Sequence, residues 1–375
     1  MKEYSVGLII MRVFFRADAN TEIGMGHIMR CLSVADVFDY YGYDIYFLTA
    51  DDRISELITG RGYEVIVLHS DYKLMDKEEW SISLKPDIVF VDSYYVTEMY
   101  LKTIKSRINS YGGKLIYIDD VCAFPYPVDI LVNYNIYASA SFYSILYGQT
   151  DGMPDLILGL DYVPLRSMFK NIPKKKQIRK INNVLISTGG SDNLHLSLAI
   201  LRYVIEISST TDSNRIYHFL LGNMNLDKNE IKMIASAYKN IVVHENVTDM
   251  KSLIYSSDIV VAAAGSTLYE IAACGIPLVV YSMADNQIPG AEAFERMGIG
   301  FNVGDIRHLS SCITNCDMSD TLIVVATRIM NEVEKLSDDY QCRCRMATLM
   351  QKLIDGQGAE RLVKKIMELI RNSYN

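Results

Sequence analysis

The residues best suited to chemistry fall in one short stretch, Arg16-Ala17-Asp18 followed by Gly24-Met25-Gly26-His27-Ile28-Met29-Arg30. This R-x-D-x(5)-G-x-G-H-x-x-R pattern follows an apolar run, Arg12-Val13-Phe14-Phe15, and opens a segment with helical character. Glycine at 24 and 26 lets backbone approach a ligand closely, the new helix turns its N–H groups toward an anion, and Arg30 lies one turn along. A helix end contributes only ~0.3–1 kcal/mol toward an exposed anion, so it orients a substrate and does not hold it alone. His27 at a helix start is expected to have its pKa lowered and to accept a proton near neutral pH, as a general base would. A lone histidine more often caps or packs; the pattern around it argues for chemistry.

A second glycine elbow, Gly265-Ser266-Thr267-Leu268-Tyr269-Glu270, lies about 240 residues later, after the apolar run Asp258–Ala263. Thr188-Gly189-Gly190-Ser191-Asp192 has the same strand-to-helix character, and Ser191 is expected to cap the helix that follows. Glu270 falls in the first turn of its helix, where a carboxylate can accept bonds from ribose hydroxyls or complement the helix dipole. Asp285-Asn286-Gln287 supplies amide groups beyond the run Leu278–Tyr281. His195 could reach a phosphate, and the other histidines, His69, His218, His244 and His308, sit in no constellation.

No P-loop, G-x-S-x-G elbow, Cys/His nucleophile pair or metal-ligand cluster occurs. Cys342-Arg343-Cys344 does not share a helix face, and Cys312 and Cys316 have no histidine at ligand spacing. Asp119-Asp120 reads as a turn with a hydrogen-bonded aspartate, so chemistry that needs a bound divalent metal is disfavoured. No cofactor is implied.

Positioning these residues requires parallel sheets. Strand-like runs recur at Asp44–Leu48, Glu64–Leu68, Asp87–Val91 and Lys114–Ile118, separated by stretches of helical period. The alternation reads as βαβ units, with function at the carboxyl ends of the strands, where Asp92-Ser93-Tyr94-Tyr95 and Asp119-Asp120 sit. Order loosens through the Pro- and Tyr-rich stretch from Pro125 to Tyr137, and the lysine-rich segment from Pro164 to Asn183 reads as a solvated linker. A second alternating set runs through Asn183–Ser187, Ile216–Leu221, Ile241–His244, Ile259–Ala263 and Leu278–Tyr281, and the chain is helical from Ser319 onward. The expected fold is therefore α/β and GT-B-like: two doubly wound Rossmann-type domains facing across a cleft, with a helical C-terminal tail. The expected divisions are an N-terminal Rossmann-like domain at 1–165, a linker at 166–182, a second Rossmann-like domain at 183–355, and a C-terminal helix at 356–375 that could cross back to the first domain.

Composition sets outer bounds. A chain of 375 residues with 50% hydrophobic residues can build two cores. The net charge of −8, from 37 basic and 45 acidic residues, argues against a general nucleic-acid surface. Seven cysteines without framework spacing fit a reducing cytoplasm. The run Val6–Phe15 is interrupted by Arg12 and leads straight into the first elbow, so neither a signal peptide nor an integral membrane segment is expected, and Met11 is an alternative start. Nothing in spacing or composition specifies an oligomeric state.

Taken in order, Phe15-Arg16-Ala17-Asp18, Glu22 to Arg30, Val91-Asp92-Ser93-Tyr94, Ile118-Asp119-Asp120, Asp129 to Asn135, Gly159 to Arg166, Ser187 to Asp192, Ala264 to Glu270 and Asn286-Gln287 resemble a known family. It is the PseG-like UDP-sugar hydrolases of pseudaminic acid biosynthesis, with the related SpsG-type spore-coat polysaccharide proteins, and the likeness covers roughly residues 11–300. The resemblance implies a GT-B scaffold used for metal-independent hydrolysis, in which a UDP-linked 2,4-diacetamido-2,4,6-trideoxy sugar loses UDP to water. It implies His27 as base, with Tyr94 and Asn286 near the sugar and diphosphate. Gly189, Gly190, Ser191, Gly265, Ser266, Thr267, Glu270 and Gln287 fall on the nucleotide side, and Arg16, Asp18, Gly24, Gly26 and Arg30 on the sugar side. The chain departs from the family at Ser93, where some members carry histidine, and in its helical tail. Three rivals share these residues: a glycosyltransferase with an acceptor hydroxyl in place of water, a sugar-nucleotide sensor without turnover, and a Rossmann dehydrogenase. The last lacks a full G-x-G-x-x-G.

Overall fold

Every strand in both sheets is parallel, and buried apolar runs make them so. In β1 (Arg12–Ala17) five consecutive residues are buried, because helices cover both sheet faces. Phe14 joins the core on one face; Phe15 stacks between Phe47 and Phe90 on the other, at centroid distances of 5.1 and 4.8 Å. The computed structural model describes residues 11–20, 22–80, 84–150, 152–208, 215–307 and 318–373. Cys312, Cys316 and His308 lie outside them, as does half of the signal-like run. The chain divides into two units, Met1–Arg166 with Gly358–Asn375, and Ser167–Gln357.

In the first unit β1 is followed by α1 (Gly26–Tyr40), β2 (Asp44–Thr49), α2 (Ser55–Thr59), β3 (Glu64–Val67), β4 (Ile88–Asp92), α3 (Glu98–Asn109), β5 (Lys114–Ile118), β6 (Ile130–Asn133), α4 (Ala140–Leu146) and β7 (Asp155–Leu158). The sheet order is β3-β2-β1-β4-β5-β6-β7, so the chain reverses its direction of growth between β1 and β4. A crevice for ligands opens at such a switch point. Strand β6 lies in the segment expected to be irregular and β7 beyond it, and their short apolar runs complete the sheet beyond β5.

The second unit contains β8 (Asn183–Ser187), α5 (Leu196–Ser208), β9 (Ile216–Leu220), α6 (Lys228–Ala235), β10 (Ile241–His244), α7 (Met250–Ser256), β11 (Ile259–Ala263), α8 (Thr267–Cys274), β12 (Leu278–Ser282), α9 (Ile288–Arg296) and β13 (Phe301–Asp305). Helices α10 (Met318–Asp338) and α11 (Tyr340–Leu353) follow, and the order β10-β9-β8-β11-β12-β13 repeats the same reversal. The lysine-rich segment read as a solvated linker is tied into this unit. Arg343, fully buried, donates to the carbonyls of Ile178 and Arg179, each at 2.8 Å, and to those of Leu336 and Ser337. Lys175 reaches the Tyr255 carbonyl and Gln177 that of Gly275. Backbone carbonyls, invisible in a residue pattern, hold the segment down.

The last helix, α12 (Gly358–Asn372), belongs to the first unit and packs on α1 through a stripe of Leu362, Val363, Ile366 and Ile370. Its start needs glycine, since a Cβ on Gly358 would lie 2.2 Å from the Val163 carbonyl oxygen.

Candidate active site

At the carboxyl end of β1, Asn20 closes a tight turn by accepting the N–H groups of Glu22 and Ile23 on its side chain and that of Gly24 on its carbonyl. Gly24 takes a φ of +77°, which favours glycine. Helix α1 then starts at Gly26 with no side-chain cap, leaving its first N–H groups open. His27 and Arg30 occupy the first turn, and both are buried.

Asp92, the last residue of β4, binds both. Its Oδ1 lies 2.5 Å from His27 Nδ1 and 2.5 Å from Arg30 Nη2, and its Oδ2 is 2.6 Å from Arg30 Nε. Burial would push the Asp92 carboxyl up, but Arg30 foremost and His27 next hold it well below the usual carboxylate range. An ionised Asp92 only accepts, so His27 Nδ1 carries the hydrogen, and the lone pair of a neutral ring sits on Nε2. Arg30 Nη2, at 3.3 Å, is the more distant neighbour of Nδ1. His27 Nε2 is buried and has no hydrogen-bond partner.

Arg30 continues to the next two strand ends. Its Nη1 donates to Asp120 Oδ2 at 3.0 Å, after β5, and to the Tyr134 hydroxyl at 2.9 Å, after β6. Burial, with Asp120 and Asp92 against the opposing Arg30, pushes the Tyr134 phenol up to about 12, so it stays protonated at neutral pH. Tyr94 packs edge-on against His27, with ring centroids 4.3 Å apart, and donates to Asp120 Oδ2 at 3.3 Å. Burial and the Asp120 charge raise its phenol too.

The other first-unit candidates have structural work. Arg16, expected to meet substrate, is fully buried; its Nε and Nη2 grip Glu78, and its Nη1 lies 2.5 Å from Asp18. Burial opposes its charge, and Glu78 and Asp18 more than restore it. Asp18 also accepts the Ala50 N–H at 2.7 Å. Through these bonds the pair ties together the ends of β1 and β2. The aspartate pair is split in function: Asp119 organises its own turn by accepting from Val121, Cys122, Tyr126 and Tyr143, while Asp120 belongs to the His27 network.

In the second unit the candidates gather at the ends of three adjacent strands, β8, β11 and β12. Gly189 has a φ of +93°, and the Gly190 carbonyl lies so near Gly222 that a Cβ there would stand 2.1 Å from it. Asp192, not Ser191, caps α5, accepting the N–H groups of Leu196 and Ser197 at 3.0 and 2.9 Å. His195 pairs with Asp227 at 2.7 Å. Helix α8 starts at Thr267 with no side-chain cap, and Gly265 and Ser266 before it are exposed. Glu270 is half-buried in its first turn. Asn286 and Gln287 lie in a short 3-10 turn after β12, where Gln287 Oε1 accepts the Met283 N–H. Among the described residues no group of His, Cys, Asp and Glu is arranged to hold a metal ion, and no helix is long and apolar enough to cross a membrane.

No protein-family model matches the chain. It is 29% identical over 267 residues to the UDP-2,4-diacetamido-2,4,6-trideoxy-beta-L-altropyranose hydrolase of Campylobacter jejuni, covering 69% of this chain and 87% of that protein. Over 364 residues it is 22% identical to the spore coat polysaccharide biosynthesis protein SpsG of Bacillus subtilis, covering 96% and 98%. A Methanocaldococcus jannaschii protein, named uncharacterized protein MJ1062, is 26% identical over 284 residues, 72% of this chain and 55% of its own length, so the chain spans about half of that relative. Among solved structures, S. aureus MnaA with UDP aligns at a TM-score of 0.63 with 12% identity, covering 96% of this chain and 97% of that one. The glycotransferase of kitacinnamycin aligns at 0.59 with 13% identity, covering 96% and 99%. Two Rossmann-like units built on parallel sheets of seven and six strands give the chain a GT-B-like fold. Within that class, the chain is similar over most of its length to the PseG-like hydrolases and the SpsG-type spore-coat proteins.

Proposed function

We propose that the protein hydrolyses a UDP-linked 2,4-diacetamido-2,4,6-trideoxy sugar at its anomeric carbon, releasing UDP and the free sugar for nonulosonic acid synthesis of the pseudaminic type. The observation that carries this reading is the His27–Asp92 pair: an imidazole whose Nδ1 is committed to an ionised carboxylate offers Nε2 as base. Nε2 takes a proton from water as the water oxygen bonds to C1; the bond from C1 to the diphosphate oxygen breaks, and its electron pair leaves with UDP. The open N–H groups at Ser266 and Thr267 and the glycines at 189 and 190 give the second unit the donors to carry that charge. Asn286, beside them in the chain's fold at the end of β12, adds an amide.

Positioned proton transfer contributes ~10²–10⁴ in rate, so His27→Asn should lose about that factor in kcat while its circular dichroism and melting stay those of wild type. Wild-type turnover in that variant would remove His27 from the mechanism.

A second reading has an observation of its own. The match to SpsG spans 96% of this chain, helical tail included, whereas the match to the hydrolase spans 69%. On that reading the same base deprotonates an acceptor hydroxyl, and the enzyme is a glycosyltransferase using a UDP-sugar donor in surface glycan synthesis. Multiple turnovers of UDP release without any acceptor support hydrolysis; strict dependence on an acceptor supports transfer.

A further inference from the structure

We infer that His218 and His244, on the neighbouring strands β9 and β10, form a proton-counting pair: the two rings accept one proton as a bonded unit, while a second drives them apart and loosens the edge strand. The inference stands apart from the UDP-sugar reading, and no group of the His27 site takes part in it.

In the sequence the two histidines look unrelated, and the parallel register brings them together. Val242 lies opposite His218 and His244 opposite Leu220, so alternation turns both imidazoles to one face of the sheet. That face is the more open one: Tyr217 and Phe219, pointing the other way, are buried, whereas His218 is half-buried and Val242 beside it is 36% exposed. His218 Nδ1 lies 3.0 Å from His244 Nε2, with the rings stacked at a centroid distance of 5.2 Å. On its far side His218 Nε2 lies 3.1 Å from Asn183 Oδ1, at the start of β8. An amide oxygen only accepts, so His218 Nε2 carries a hydrogen and its Nδ1, in the neutral ring, holds the lone pair. His244 Nε2 is then the donor between the rings.

Two nitrogens with one hydrogen between them cannot both be protonated in place. The first proton enters at His244 Nδ1 and leaves the bond intact. The second has only His218 Nδ1, the acceptor of that bond, so it sets two N–H groups head to head and puts a charge on each of two stacked rings. Asp258, just before β11, favours an imidazolium at His218, but its Oδ2 already accepts the N–H groups of Asn182 and Asn183 at 2.8 and 2.9 Å. Glu245, next to His244, is taken by Lys232 at 2.6 Å, with Lys228 at 4.0 Å, both from α6, which packs on β10. On α7, Asp249 caps its own helix through Ser252, and Lys251 and Tyr255 are the other titratable groups. Burial foremost, and the His244 charge next, hold the His218 imidazole below its usual range, and burial lowers His244 as well.

Strand β10 is four residues long and pairs with β9 alone, so the ring pair at its last residue is a substantial part of what fastens it. Because the folded values are depressed, the contribution is full above the unfolded histidine value of about 6.5 and is lost as pH falls through it toward the folded values.

Nitrogen-15 NMR of the ring nitrogens tests the shared proton. In wild type His244 should titrate first and His218 at lower pH, and in His244→Gln the His218 midpoint should move up. A His218 midpoint that is the same in both chains overturns the pairing. Between pH 7.5 and 5.0 the Tm of wild type should fall about 2–4 °C further than that of His244→Gln or His218→Gln; equal falls in the three chains overturn the stability role. Hydrogen exchange, corrected for its intrinsic pH dependence, reads the strand itself. Protection across Ile241–His244 should drop about 10-fold relative to Asn183–Ser187 once His218 is protonated, and protection that stays level while both rings titrate overturns the loosening.

Discussion

Asp92 is the residue on which the first-unit site turns, because it fixes the tautomer of His27 and neutralises the buried Arg30 together. Asp92→Asn removes the ionised acceptor, lets Nδ1 lose its hydrogen, and should lower kcat by about 10²–10⁴ with little change in KM. It has a stability signature as well. The folded pKa of Asp92 is depressed, so its contribution is present above the unfolded value of about 3.9 and is lost as pH falls through the lower folded value. Denaturant unfolding of wild type and Asp92→Asn should show a constant gap from pH 7 to about 4 that narrows below it; a gap that instead narrows between pH 7 and 5 would contradict this assignment. His27 and Arg30 were readable in the sequence because they share one helical turn with the glycine elbow. Their partners, Asp92 and Asp120, lie 65 and 90 positions away. The strand ends at 92 and 120 were readable too, yet only folding aligns them. For Arg16 the hidden partner was Glu78, in a connection without regular periodicity, and it holds the guanidinium in a buried ion pair.

At the scale of elements, the link from β3 to β4 and the docking of α12 are the features that depend on single residues. No α-helix is described between β3 and β4, only a 3-10 turn at Met75–Lys77, and Glu78 pins the segment by accepting from Arg16, Ser70 and Tyr100. Glu78→Ala leaves the Arg16 guanidinium buried with Asp18 alone, and should cost about 3 kcal/mol in urea unfolding. Gly358→Ala forces a Cβ against Val163 and should cost about 1–3 kcal/mol. A neutral result at 358 would mean that the helix start shifts freely. Strands β1, β2, β4, β5, β8 and β11 were legible as apolar runs bounded by turn residues. Strands β6 and β7 are four residues each among prolines, tyrosines and glycines, and β13 includes Asn302 and Gly304 within its five residues. Runs so short and mixed acquire strand geometry only from a neighbour already in place.

At the scale of the molecule, the two sheets repeat one strand order, and each brings its candidate residues to adjacent strand ends. That much followed from βαβ alternation, while the return of the C-terminal helix to the first domain was expected only as one possibility for its amphipathic run. The first unit is discontinuous: it is interrupted after Arg166 and completed from Gly358. Ending the chain at Gln357 removes the four buried apolar side chains of α12, at about 1.5–3 kcal/mol each, enough to unfold the first unit, while on the proposed reading the second unit is expected to keep an affinity for UDP. Separate thermal transitions and a UDP titration of the truncated chain would check both halves of that expectation. The same interruption sets a timetable for biosynthesis. A ribosome adding about 5–20 residues per second needs roughly 10–40 s to traverse Ser167–Gln357, and through that interval the nascent first sheet waits with one helix bare. The second unit can mature while the first is held incomplete, so the histidine dyad is assembled on a stable scaffold only after the second unit has left the exit tunnel.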